Sequence, residues 1–191
     1  MVHTCNHRNF NKPVYVGFVE DDNEVIDQKR NSIKLHEQRG DLFDAPERSF
    51  LIHACNCIGT WSAGVAKGFM QRFPKAYAEY RKVCNTSNPL GTCLIIPDTS
   101  SKGIPYYVVC LFTSTKYGKF KDSPKKIIDN TKKAMKDFLR QIEEMEDTIT
   151  DIRMPKINSK NFNVPWNDTK QAIESIESSC QYNINVIDLN F

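Results

Sequence analysis

LIHACNCIGTWSAGVAKGFMQRF, residues Leu51–Phe73, decides how this chain is built. It opens on an apolar run ending in small and polar residues, LIHACN, the pattern of a buried strand that stops at Asn56. Gly59, Thr60, Ser62, Ala63 and Gly64 follow as a loop of small residues broken by one bulky ring, Trp61. Val65, Ala66, Phe69, Met70 and Phe73 then recur at helical spacing. The unit is strand, small-residue loop, helix N-terminus. Small residues let a ligand approach the backbone, and the free N–H groups of a first helical turn favour an anion. The ligand site is expected here.

Working outward, Ile33 to Gln38 alternates as a strand and ends in a turn at Gly40-Asp41-Leu42-Phe43. Residues 1–31 read as an N-terminal extension, with one added strand around Val14–Val19 or a mobile linker. Downstream, Pro74 opens a second helix with Ala76, Tyr77, Tyr80, Val83 and Cys84 inward. Thr92–Pro97 and Tyr106–Thr113 are near-continuous apolar runs, as in strands covered on both faces, with a turn over DTSSKG between them. Ser123-Pro124 starts the clearest helix, whose apolar stripe runs from Ile127 to Met145. DIRMP is a short strand, KINSKNFNVP a second polar loop, Pro165-Trp166 a helix start, and NINVIDL a closing strand. Strands alternating with amphipathic helices give an α/β class, three layers with a central mixed sheet. Ligands of such sheets bind where loops leave strand ends, as the loops after Asn56 and Ile157 do.

Composition narrows the function. The 191 residues are 40% hydrophobic and 26% charged, an ordinary globular balance. A net charge of +3 is too small to argue for nucleic acid, though it suits an anionic small ligand. The seven cysteines form no C-x-x-C pair, and no secretory leader or membrane span is read. The expectation is a reduced protein of the cytosol, with the nucleus open as a second site.

Several signatures fail. Gly59 and Gly64 have P-loop spacing, but Val65 and Ala66 replace the required Lys and Ser/Thr. There is no G-x-G-x-x-G and no G-x-S-x-G. His53, Cys55 and Cys57 alternate, so a strand points all three to one face. Zinc ligation and a buried structural cluster are both open for them, with no fourth ligand nearby. Lys116, Lys119, Lys121, Lys125 and Lys126, with Tyr117 and Phe120 interleaved, fit either a single-stranded RNA surface or a solvated loop.

From about Ile33 to Ile176 the chain resembles a macrodomain of the ADP-ribose 1''-phosphate phosphatase branch. The resemblance rests on GDLF, LIHACNCIGTWSAGVA, RFPKAYAEY, LGTCLIIP, CLFTS and MPKINSKNFNVPW in that order. It implies a three-layer α/β/α macrodomain over residues 32–191. Asp41 would then hydrogen-bond adenine, flanked by Gly40 and Leu42, and Asn56 would hold the distal ribose beside Ala54 and Cys55. Trp61, Ser62, Ala63, Gly64, Val65 and Ala66 would form the first phosphate loop. Ile157, Asn158, Ser159, Lys160, Asn161, Phe162 and Asn163 would form the second, with Phe162 against the distal ribose. Ser62, Ala63, Lys160 and Asn163 stand where the family usually has glycine, so a positive φ there would carry strain. Pro97 and Phe162 replace the Lys–Asp pair of the family's ADP-ribosyl-protein glycohydrolases, which removes that route.

The implied activity is hydrolysis of ADP-ribose 1''-phosphate, a tRNA-splicing by-product, to ADP-ribose and phosphate. His53 is the candidate general acid/base and Asn56 the orienting group, although strand alternation sets them on opposite faces unless the strand end twists. No cofactor or metal is expected. The partner is the small-molecule substrate, with no membrane and no nucleic acid. A non-catalytic ADP-ribose reader and a single-stranded RNA-binding module are the alternatives.

Overall fold

The computed structural model describes residues 32–188. The N-terminal extension and the strand read around Val14–Val19 lie outside the described residues. The elements are β1 (Ile33–Arg39), β2 (Phe50–Asn56), α1 (Gly64–Arg72), α2 (Pro74–Thr86), β3 (Cys93–Thr99), β4 (Pro105–Ser114), α3 (Pro124–Glu143), β5 (Ile152–Pro155), α4 (Trp166–Glu174) and β6 (Tyr182–Asp188). The strands form one six-stranded sheet in the order β1-β6-β5-β2-β4-β3. All neighbours are parallel except β3 and β4, which are antiparallel. The sheet is therefore mixed.

Each face of the sheet is covered. On one side Ile52, Val109, Leu111, Met154 and Ile184 pack against Met135 and Phe138 of α3 and Ile173 of α4. On the other, Leu51, Cys55, Val108, Cys110 and Phe112 pack against Phe69 of α1 and Ala76 and Tyr80 of α2. Central strands covered on both sides must be apolar throughout, which is why β2 reads LIHAC and β4 reads YVVCLF. The helix α3 starts as its sequence requires. Ser123 accepts a hydrogen bond from the Lys126 N–H at 3.4 Å, and Pro124 occupies the first turn.

Thr92–Pro97 departs from the reading of a strand buried on both faces. It becomes β3, the antiparallel edge, where Pro97 is exposed and needs no ladder partner for a missing N–H. The strand also runs to Thr99, which takes Asp98 out of the expected turn. Asp98 faces inward, where Oδ2 accepts from the Ala76 N–H at 2.7 Å. The N-terminus of α2 thus receives its cap from a neighbouring strand rather than from its own preceding residues.

Because β2, β5 and β6 are parallel, their C-terminal ends share one edge of the sheet. Both small polar loops leave from that edge. Beyond them, Glu37 of β1 accepts from Lys170 Nζ at 2.8 Å and Trp166 Nε1 at 3.2 Å, and pairs with Lys156 at 3.3 Å. The hydrogen bonds from Lys170 and then Trp166 hold its carboxyl down to about 2 from an ordinary 4.5. A depressed carboxyl stabilises the fold above its unfolded value, so this contribution fades as pH falls from 4.5 toward 2. Urea unfolding of Glu37→Gln across that window is expected to show a shallower loss of stability with acid than the wild type.

Candidate active site

Two chambers open at the shared strand edge. The first, about 130 Å³, is lined by Ala54, Val65, Ala66, Pro155, Ile187, Asp188 and all of 156–162. The second, about 140 Å³, is lined by Asn56, Thr60, Trp61, Ser62, Ala63, Tyr117 and Gly118. They share Ala54, Ala66, Asn161 and Phe162, so they are two halves of one cleft.

The first loop is organised by Asn56. Its Oδ1 accepts from the Ile58 N–H at 3.0 Å, the Thr60 N–H at 3.4 Å and the Tyr80 hydroxyl at 3.0 Å. Its Nδ2 donates to the Thr60 carbonyl at 2.7 Å. The Tyr80 hydroxyl lies 2.8 Å from the Asn56 carbonyl and accepts from Thr60 N–H at 3.1 Å. Burial pushes this phenol up from its ordinary value, so it stays protonated and remains a donor. The register between β2 and β4 shifts at Cys55/Asn56, which frees the strand end to turn into the loop.

Where the loop meets α1, Ala63 is extended and no side chain caps the helix. No acidic residue occupies the first turn, so the helix end keeps its bias toward an anion. Gly64 has φ +58, and a Cβ there would meet Asn161 Nδ2 at 2.9 Å. The two loops therefore touch here, and a side chain would have to displace the Asn161 carboxamide and adopt a left-handed backbone. Ser62 and Ala63 are absent from the positive-φ residues, so their replacement of glycine carries no such strain.

The second loop is anchored by Asn158, 4% exposed. Its Oδ1 accepts from the Thr113 hydroxyl at 3.1 Å, and its Nδ2 donates to Thr131 Oγ1 at 3.0 Å. Asn158 and Asn163 sit at φ 64 and φ 53, the left-handed region that asparagine tolerates best after glycine. Lys160 is not among the positive-φ residues. The strain expected at both positions thus falls on Asn163 alone. Val164 N–H closes the loop onto the Asn158 carbonyl at 3.0 Å.

His53, Cys55, Asp41, Leu42 and Gly40 line neither chamber. His53 is 0% exposed, stacked on Phe69 at 4.1 Å between ring centroids and edge-on to Trp61 at 4.6 Å. A ring closed inside an aromatic layer cannot exchange a proton with a ligand, so the acid/base assignment is withdrawn. Cys55 faces the same layer. Asp41 lines a separate depression with Phe43, Arg72 and Ser100, and its Oδ1 accepts from the Phe43 N–H at 2.9 Å as an Asx turn. Leu42 is wholly buried beneath that turn. Gly40 packs near Ile187 at the outer end of the first chamber.

The alternating cysteines also separate. His53 and Cys55 gather with Cys110, ligand atoms within 4.8 Å, while Cys57 lies beyond the register shift. Cys55 Sγ is 3.6 and 3.5 Å from the two ring nitrogens. Three buried donors with no fourth ligand among the described residues fall short of the closed set of a structural zinc site. Cys57 is pushed up to about 12, by burial and then by Cys84 and Asp122, and so remains a neutral thiol.

A mixed six-stranded sheet between helix layers, with two loops meeting over a cleft at its strand ends, defines an α/β domain of one recognisable class. The Macro domain family matches residues 52–173. The chain belongs to the macro domain family. It is 37% identical over 157 residues to an ADP-ribose 1''-phosphate phosphatase of Chaetomium globosum, covering 76% of this chain and 85% of that one. An ADP-ribose 1''-phosphate phosphatase of Debaryomyces hansenii is 39% identical over 175 residues, covering 78% and 97%. Among solved structures, Thermosipho africanus DarTG in complex with ADP-ribose superposes with a TM-score of 0.65 at 14% identity, over 82% of this chain and 42% of that one. The macrodomain of Thermus aquaticus DarG gives 0.59 at 22% identity, over 82% and 99%. At those identities the structural likeness speaks for the fold.

Gly64→Ala is expected to lose about 1–2 kcal/mol of stability from the left-handed backbone. It should also push Asn161 away and weaken binding of ADP-ribose, both read by melting and calorimetry on one preparation. Unchanged melting and affinity would show that the loops do not depend on this contact.

Proposed function

We propose that this chain is an ADP-ribose 1''-phosphate phosphatase, releasing ADP-ribose and inorganic phosphate. The observation that carries the proposal is the shared boundary of the two chambers. One ligand can lie across Ala54, with its diphosphate between the start of α1 and the 157–163 loop and its distal ribose and phosphate in the second chamber. The names of the relatives at 37% and 39% identity support the same substrate.

In this reading the backbone N–H groups of the first turn of α1 and of the second loop face the diphosphate and the departing charge. Fixed donors of this kind stabilise charge without reorganising during the reaction. Lys160, which lines the first chamber, adds a cation beside the diphosphate. Asn56 holds the loop that shapes the distal chamber and itself lines that chamber, where its carboxamide orients water or the distal ribose. Water is the nucleophile, because burial keeps the nearby Cys57 and Cys84 thiols neutral. Asp188 lines the first chamber, where it also pairs with Lys156 at 3.0 Å, and is the lining carboxylate available to an adenine amino group. Asp41, in the separate depression after β1, reaches the same adenine only if the ligand extends past this chamber. The setting proposed for the reaction is the cytosol, with tRNA splicing supplying the substrate. A reader that binds ADP-ribose without turnover uses the same cleft, and only turnover separates the two.

Purified protein is expected to release phosphate from ADP-ribose 1''-phosphate. Asn56→Ala should lower kcat by roughly 10²-fold or more through the collapse of the loop geometry. His53→Phe keeps the ring stack but removes the imidazole, and is expected to retain turnover within about tenfold of wild type, far short of the loss of a proton-transfer group. No phosphate release at saturating substrate would give the reader first place. Loss of turnover in a normally melting His53→Phe would return the imidazole to the mechanism.

A further inference from the structure

Between β4 and α3 the chain leaves the sheet at Ser114 and returns at Asp122, beside the second chamber. The neck of this excursion is tied shut. Asp122 Oδ2 accepts from the Thr115 N–H at 2.6 Å, Ser114 Oγ accepts from the Asp122 N–H at 3.0 Å, and Lys126 pairs with Asp122 at 2.7 Å. At the tip, Gly118 turns the chain at φ +62 into a single turn of 3-10 helix, Gly118–Phe120. A clamped loop therefore holds its side chains out by design of its backbone rather than by fraying.

What it holds out is unusual for a surface. Phe120 is 67% exposed and Tyr117 44%. Leaving a phenyl ring in water forgoes the stabilisation its burial would bring. The ammonium groups of Lys116 and Lys119 lie 5.9 and 5.1 Å from the Phe120 ring centroid. Among the described residues neither lysine is in a salt bridge, whereas the Lys126 charge is matched by Asp122. Exposed aromatic faces interleaved with unmatched cations are what single strands of nucleic acid use, bases on rings and phosphates on ammoniums. A bilayer fits less well. Insertion there scales with buried apolar area, and one phenyl ring with a phenol offers little.

We propose that the Thr115–Asp122 loop binds single-stranded nucleic acid, with one base stacked on Phe120 and the adjoining phosphates on Lys116 and Lys119. Tyr117, which forms a wall of the distal chamber, leads the strand past the mouth of the cleft. Phe120, Lys116 and Lys119 line neither chamber, so the proposal stands whether or not the assignment to hydrolysis does. It revises the expectation, drawn from the small overall charge, that nucleic acid is no partner. The relevant charge is local to this loop.

The test is fluorescence anisotropy with a labelled oligouridylate of about ten nucleotides, within the usual single-strand site size. It uses the full chain and three variants: Phe120→Ala, Phe120→Trp, and Lys116→Ala combined with Lys119→Ala. Wild type is expected to bind, with affinity falling as salt rises. Phe120→Ala should weaken binding about fivefold to a hundredfold, and Phe120→Trp should restore it. Removing both lysines should flatten the log–log salt dependence by about 1.4, two phosphate contacts of a single strand. All variants should melt as wild type and keep its affinity for ADP-ribose. Absence of binding at low salt, equal affinity in Phe120→Ala, or preference for phosphatidylserine vesicles over the oligonucleotide would each overturn the proposal.

Discussion

The cleft depends on one buried carboxamide at each of its two loops. Asn56 ties the first loop to α2 through Tyr80, and Asn158 ties the second to β4 and α3 through Thr113 and Thr131. Both are nearly excluded from water, 6% and 4% exposed, where an unpaired polar group would be costly. A carboxamide suits this position because it donates and accepts at once. It therefore fixes a loop from inside, through its side chain, and does not occupy the N–H groups of Lys160 and Asn161 or those at the start of α1. A loop fixed through its own outward N–H groups would have none left for phosphate. The glycine at 64 follows from the same constraint, since the two anchored loops meet there at a left-handed backbone position against the Asn161 carboxamide.

The aromatic layer behind the first loop serves that geometry. His53, Trp61, Phe69, Tyr77 and Tyr80 form a continuous set of ring contacts running from β2 to α2. Trp61 belongs both to this stack and to the wall of the distal chamber. The single bulky ring among small loop residues is thus the point where core packing sets the position of the site. His53 contributes by stacking, closed off from the cleft by the rings around it.

Much of this was legible before any coordinates. The change of period from strand to loop to helix within Leu51–Phe73 located the cleft, and Ser123-Pro124 marked the start of α3. Tyr106–Thr113 was recognisable as a central strand because nothing polar interrupts it. The misses share a cause, which is that they depend on what lies opposite in space. An apolar run does not tell an edge from a centre, so β3 was read as covered on both faces. Alternation puts His53 and Asn56 on opposite faces, but the register shift at Cys55/Asn56 turns the Asn56 side chain onto Tyr80, in the aromatic layer that also holds His53. Asp98 was read as part of a turn, since its partner, the Ala76 N–H, is on another element. The anchoring role of Asn158 joins residues 45 and 27 positions away, and only the letters of KINSKNFNVP were there to hint at it.

The central claim is that backbone N–H groups of the two loops hold the diphosphate of a single ligand. Amide chemical-shift mapping during an ADP-ribose titration tests it most directly. Saturable shifts are expected, largest at Gly64, Val65 and Ala66 and at Lys160 and Asn161, all following one binding curve. Shifts confined to the Asp41–Arg72 depression, or two sets of amides titrating with different affinities, would contradict it.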